Sequence, residues 1–205
     1  MTRPITSTKG RKFPPEAYTR AEVFGLIDAQ SATSPSGLRN RALIWMLYRT
    51  GLRITEALDL TLKDLDRPKV TVLRGKGGKR RTVAMSPDAW AALDVWLAVR
   101  KTKPIPPGSS VFCGMRGQYI GHGYVRQFLA RSKARAGVAK RVHAHGFRHT
   151  FASELAEEGV DLVVIQQALG HASLSQTATY LARLGHVPRV IDALANRPEL
   201  LAASG

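Results

Sequence analysis

Three stretches of this chain carry residue types suited to phosphate chemistry, and they lie far apart in sequence. The first is Thr50-Gly51-Leu52-Arg53-Ile54-Thr55-Glu56-Ala57-Leu58, an arginine just after a glycine break at the start of a helix. The positive end of a helix dipole is a poor place for a cation unless an anion is to be held there. Glu56, three residues on, is placed to orient the guanidinium, although a plain surface Arg–Glu pair fits the same residues. The second stretch is Arg74-Gly75-Lys76-Gly77-Gly78-Lys79-Arg80-Arg81. It sets Lys76 at a flexible hairpin tip among other cations, which lower a lysine's pKa and help it donate a proton. Simple contact with backbone phosphates is the alternative, and it is the expected task of Lys79, Arg80 and Arg81. The spacing does not match a nucleotide-binding P-loop.

The third stretch is the richest: His145-Gly146-Phe147-Arg148-His149-Thr150, then Leu169-Gly170-His171, then Tyr180. His145 and His149 stand four apart, as zinc ligands do. No HExxH glutamate lies between them and no thiolate is near, so metal fits poorly. His149 reads as a packed, hydrogen-bonded residue. Tyr180 alone would read as a packing residue with its hydroxyl at the surface.

These groups need a scaffold, and the composition supplies one. The 205 residues are 44% apolar, enough for one domain with a hydrophobic core plus a short arm. Lys and Arg number 31 against 15 Asp and Glu, a formal charge of +16. That excess favours a polyanionic partner, because each phosphate neutralised releases condensed counterions. The single cysteine, Cys113, makes no internal disulfide and no zinc cluster. No signal-peptide core and no membrane-length apolar run stand out, so a cytoplasmic, nucleoid-associated protein is expected.

Residues 1–17, with three prolines and four basic residues, read as a flexible basic arm, followed by a catalytic domain over 18–205. Thr19 and Glu22 predict a capping box opening a helix with Val23, Leu26 and Ile27 as its stripe. The loop SATSPSG precedes an apolar helix (Ala42, Leu43, Trp45, Met46, Leu47) that Gly51 closes, and a second helix runs from about Ile54 to Leu60. Lys69 to Met85 predicts a hairpin, with Val70 and Val72 on one strand, Val83 and Met85 on the other, and Gly75, Gly77 and Gly78 at the turn. Ser86-Pro87-Asp88 opens a helix with Trp90, Leu93, Trp96 and Leu97 inward. A linker, KTKPIPPGSS, leads to a short strand at Val111-Phe112 and a basic helix from about Gly123 to Ala136. The final third is helical, broken at Gly159, Gly170 and Gly185, and ends in a short helix with Val187, Val190, Ile191 and Leu194 inward. The expected class is mainly α with a small antiparallel β-hairpin or sheet.

Taken together, TGLRITEAL, RGKGGKRR, HGFRHTFAS and LGHASLSQTATY resemble the blocks of the tyrosine recombinase (phage integrase) family, in the family's order and over most of the chain. The resemblance implies the fold of that family's catalytic domain, the DNA breaking-rejoining enzymes. It implies that Arg53 and Arg148 grip a scissile phosphate, Lys76 is the general acid, and His145 the histidine of the second box. His171 fills the His or Trp position and Tyr180 is the nucleophile. It implies strand cleavage through a 3′-phosphotyrosyl bond with no metal and no cofactor, so that a 5′-hydroxyl reverses the step. The chemistry is self-consistent. An anionic, pentacoordinate transition state without Mg²⁺ needs protein cations, and paired guanidinium hydrogen bonds suit phosphate oxygens. A tyrosine of pKa about 10 is protonated at neutral pH, so its proton must go somewhere, and His145 is the expected acceptor.

Phe147 replaces the family's commoner Leu. Many members also carry a helical domain ahead of this one; here only the short arm precedes Thr19, which fits either a stand-alone catalytic domain or a fragment. The expected partners are double-stranded DNA, further copies of the chain in a dimer or tetramer synapse, and an accessory DNA-binding protein. The terminal helix is expected to dock on a neighbouring protomer. Base reading is assigned to Arg126, Arg131, Lys133 and Arg135, led in by the Gly121-His122 turn, with a solvated basic face as the alternative. Two other functions stay open: a topoisomerase-like or resolvase activity with the same chemistry, and a non-enzymatic DNA-binding accessory.

Overall fold

The computed structural model describes residues 17–73 and 80–170. Lys76, Lys79, the turn glycines, His171, Tyr180, Gly185, the terminal helix and residues 1–16 of the basic arm lie outside the described residues.

Helix α1 (Arg20–Asp28) opens on the expected capping box: the Thr19 hydroxyl accepts from the Glu22 amide, and the Glu22 carboxylate accepts from the Thr19 amide at 2.8 Å. Val23, Leu26 and Ile27 are buried. Helix α2 (Pro35–Thr50) begins inside the stretch expected to be a loop. The Ser34 hydroxyl accepts from the Gly37 amide and Pro35 takes the first turn, where its missing N–H costs nothing. Gly51 ends α2 in the left-handed conformation (φ 61°), with its Cα against the Phe151 ring, so a side chain there would be both strained and obstructed. Helix α3 (Ile54–Asp59) follows at once.

A short 3₁₀ turn, Leu62–Asp64, leads into a three-stranded antiparallel sheet of β1 (Leu65–Asp66), β2 (Lys69–Leu73) and β3 (Arg80–Ala84). The two strands of the expected hairpin pair antiparallel; β1 adds an edge strand that two residues of sequence do not announce. Val70 pairs with Val83 and Val72 with Arg81. Helix α4 (Pro87–Lys101) buries Trp90, Leu93 and Trp96, with Leu97 half-buried. The expected strand at Val111-Phe112 does not form. The Val111 amide donates to the Leu60 carbonyl, its carbonyl accepts from the Trp96 indole at 2.9 Å, and both side chains sink into the core. Two apolar neighbours there signal a plug rather than a pleat.

Helices α5 (His122–Ala136), α6 (Ala144–Glu157) and α7 (Leu162–Leu169) complete the described chain. Helix α2 is the hub, packing on α1, α3, α4 and α6. Its Ala42, Leu43, Met46 and Leu47 are buried in one continuous core with residues of α1, α4, α5 and the sheet, each large side chain stabilising by roughly 1.5–3 kcal/mol. A smaller cluster of Ala152, Ile165 and Leu169 joins α6 to α7.

Tyr18 ties the chain ahead of α1 to the start of α6. Its hydroxyl accepts from the His143 amide at 2.9 Å and donates to the His143 carbonyl at 3.0 Å, its own amide donates to the Thr150 hydroxyl, and its ring stacks edgewise on Phe147. Burial pushes the phenol pKa up to about 12. Tyr18→Phe keeps the ring but strands the His143 amide; the expected loss is about 1–3 kcal/mol of unfolding free energy, read by urea denaturation.

Candidate active site

Arg53 sits where α3 begins, on extended backbone just past the Gly51 turn. Its amide donates to Glu56 Oε2 at 2.8 Å and its guanidinium to Glu56 Oε1 at 3.1 Å, while the side chain stays 42% exposed. Glu56 thus holds the guanidinium at the helix's positive end without covering it. A second arginine shares the carboxylate. Arg81 donates through both terminal nitrogens, at 2.7 and 2.8 Å, to the two Glu56 oxygens. Burial alone would raise the Glu56 pKa. Hydrogen bonds from Arg81 and the Arg53 amide, with the charges of both guanidiniums, overcome it and bring it to about 2.

Arg81 therefore sits otherwise than expected: it is 11% exposed and turned inward rather than offered to a phosphate. Strand alternation places it with Val83 on the inner face of β3, while Arg80 points to solvent.

Helix α6 carries the second group. The His143 ring caps it, accepting the Gly146 amide on Nδ1 at 2.9 Å. His145, Arg148 and His149 fall at i, i+3 and i+4, on one face. Arg148 is 1% exposed; it donates to the Gly51 carbonyl and to the Leu169 carbonyl, both at 2.7 Å. One guanidinium thereby joins the Thr50–Leu58 block to the last turn of α7, directly ahead of Gly170 and His171. His145 and His149 meet edge to face, ring centroids 4.5 Å apart. His145 keeps surface toward solvent. The packing around its ring, then the charges of Arg148, His143 and Arg53, lower its pKa to about 4, so its imidazole is neutral at pH 7. His149, 4% exposed, is held down to about 3, by burial first and by His145, His143 and Arg148 after it. Among the described residues no three His, Cys, Asp or Glu side chains gather in a metal-ligating group.

The four cations assigned to base reading do not form one stripe. At 3.6 residues per turn, Arg126 and Lys133 share one side of α5, and Arg131 and Arg135 another. Arg126, with His122, lines a cleft of about 320 Å³ that also holds Ile54, His143 and His145. Arg131 and Arg135 line a separate hollow of about 150 Å³ with Ser31, Ser34 and Ser36 at the start of α2, and Arg135 also donates to the Ala29 carbonyl. Lys133 is half-buried. No described helix is long and apolar enough to cross a membrane.

The model of the phage integrase family matches residues 17–185. The chain belongs to that family.

Among curated members, the tyrosine recombinase XerC of Thermodesulfovibrio yellowstonii is 36% identical over 93% of this chain and 65% of its own. XerD of Mycobacterium tuberculosis (H37Rv) is 37% identical over 90% of this chain and 61% of its own. The chain thus spans somewhat under two thirds of the length of these relatives. Among solved structures, XerA recombinase superposes with a TM-score of 0.75 at 29% identity, over 89% of this chain and 65% of that one. The XerH site-specific recombinase bound to palindromic difH substrate, a post-cleavage complex, gives 0.73 at 30% identity, over 89% and 53%. The catalytic domain of bacteriophage HP1 integrase shares the fold (TM-score 0.58, 23% identity, 92% and 99% coverage).

For this integrase-family chain, acid acts on stability through the buried histidine. The unfolded chain protonates His149 below about pH 6.5, whereas the folded one resists down to about 3, so unfolding takes up a proton between those values. Stability is therefore expected to fall as pH drops from about 6.5 to 5, by up to roughly 1.4 kcal/mol per unit from His149 alone. Glu56 does not oppose this, because its stabilisation is lost only below its ordinary value of 4.5. Urea midpoints at pH 7, 6 and 5 check the slope, and His149→Gln is expected to reduce it, leaving the part that His145, with its pKa of about 4, contributes in the same direction.

Proposed function

We propose that this chain carries the catalytic centre of a site-specific DNA recombinase, cleaving and rejoining strands through a 3′-phosphotyrosyl intermediate on Tyr180. The observation that carries the reading is the convergence of Arg53, His145 and Arg148, from blocks almost a hundred residues apart. Arg148 joins the Gly51 carbonyl, two residues before Arg53, to the Leu169 carbonyl at the end of α7, from which the chain runs on to His171, and the charges of both arginines act on His145.

The roles follow from that arrangement. Arg53 presents an exposed guanidinium whose other side is fixed by Glu56, so it meets a phosphate with little reorganisation. Arg148 sets the rigid floor beside it and adds a second positive charge. His145, neutral at pH 7, takes the phenolic proton of Tyr180 as its oxygen attacks phosphorus. An arriving phosphate anion raises the affinity of that imidazole for a proton. The phosphorus–O5′ bond breaks, Lys76 gives its proton to the departing 5′-oxygen, and His171 supports the equatorial oxygens. A 5′-hydroxyl then reverses the sequence on the same or another strand. The covalent bond keeps the phosphodiester energy, so rejoining needs no ATP.

Double-stranded DNA is the substrate this reading requires. The charge of +16, the exposed Arg80 and the cleft flanked by Arg126 and His122 beside His145 support it. Assembly of several copies on a site is supported by the palindromic substrate in the XerH complex, since a two-fold site matches a two-fold protein arrangement. An accessory DNA-binding partner, nucleoid association and docking of the terminal helix on a neighbour belong to the same proposal.

Incubation with a nicked, partly randomised duplex library in EDTA, an SDS quench and sequencing of the bound DNA test it. Covalent adducts are expected, absent from Tyr180→Phe and reduced about 10²–10³-fold in Arg148→Lys, whose side chain lacks the fork that reaches both carbonyls. Exchange of strands between two sites separates recombination from relaxation or resolution. Tight DNA binding with no adduct would move the chain to a non-enzymatic, DNA-binding role.

A further inference from the structure

Arg81 is a cation withdrawn from a basic surface, and its surroundings are specific. Both terminal nitrogens face the two oxygens of Glu56, whose carboxylate also holds Arg53. Its Nε is buried with no hydrogen-bond partner among the described residues. That edge lies against Gly170, the left-handed residue that ends α7: a Cβ there would stand 2.9 Å from Nε and 3.1 Å from Cζ. The side chain is thus clamped between a carboxylate and a bare Cα, on the strand that begins four residues after Lys76 in sequence.

We infer that Arg81 is a positioning residue, which fixes Arg53 through Glu56 and fills the space that the glycine of the Leu169-Gly170-His171 box leaves open. This inference rests on the strand-cleavage reading. Three blocks then meet at one guanidinium: the hairpin supplies it, α3 receives it and the end of α7 backs it. Gly170 is required twice, for its backbone angle and for the room Arg81 occupies. The arrangement differs from phosphate contact in what it demands of the side chain. A phosphate asks for charge; this seat asks for a planar fork with two parallel N–H bonds.

The test uses the full chain and a suicide duplex selected by the adduct assay. Arg81→Gln is expected to slow formation of the Tyr180 adduct on pre-bound DNA about 10²-fold, the scale of a small misplacement of a reacting group. DNA affinity and its salt slope are expected to stay as in the parent. The loss is expected to shrink strongly in a Glu56→Gln background, because the two substitutions break one linkage. Arg81→Lys, which keeps the charge, is expected to restore the rate only in part, and it carries the test if Arg81→Gln does not fold. A merely structural role would lower melting temperature, binding and cleavage together. A salt slope reduced by about one, additive effects with Glu56→Gln, or full activity of Arg81→Lys would each overturn the inference. If the parent chain forms no adduct, the strand-cleavage reading fails by itself. The salt slope and the Arg81–Glu56 coupling in urea unfolding then decide whether Arg81 is a phosphate contact or a buried partner.

Discussion

A guanidinium that is almost wholly buried must have its hydrogens accepted by the protein, or the fold does not form around it. Arg148 imposes this constraint here. Two carbonyls, of Gly51 and Leu169, accept from its two terminal nitrogens, and each lies at a helix end where the backbone has acceptors to spare. The left-handed residues at Gly51 and Gly170 are what bring those ends to α6. The cation therefore does not decorate a finished scaffold. It determines how α2 and α7 terminate against α6.

Around that point the electrostatics are arranged in opposite senses. Glu56 offers a fully ionised carboxylate to two arginines, so their charge is partly answered before any ligand arrives. The histidines are treated otherwise: packing around their rings and the cations nearby keep His149, which is buried, and His145, which is open to solvent, neutral at pH 7. A site meant for an anion would repel a protonated imidazole in its resting state and accept one when a phosphate is present. Burial first, and the positive field after it, thus suppress histidine protonation.

Much of this was legible in the sequence because the signals were local. Thr19 with Glu22, Gly51 and the Val70/Val83 alternation each act within a few residues, and each is found where the pattern puts it. The joining of Arg148 to the Gly51 carbonyl, two residues before Arg53, was legible only through the family resemblance, since no local rule brings residues so far apart together. Two expectations failed for instructive reasons. Val111 and Phe112 are β-formers by type, yet Leu60 and Trp96 use the amide and carbonyl of Val111 singly, with no ladder. Arg81 was grouped with its basic neighbours by composition, but it has the same parity as Val83 and Met85. Strand alternation applied one residue earlier would have turned it inward. The two-sided distribution of cations on α5 was also available from helical spacing, and a count of charge alone hid it.

The attachment of Tyr18 has a mechanical meaning. Its hydroxyl and amide hold both the first residue before α6 and Thr150 within that helix, and Lys140 adds a bond to the Ala17 carbonyl. Tension on the backbone ahead of residue 17 would not dissipate in a loop. It would be delivered to the N-terminal turn of the helix that bears His145 and Arg148, making that short segment a load path from whatever lies upstream to those two side chains.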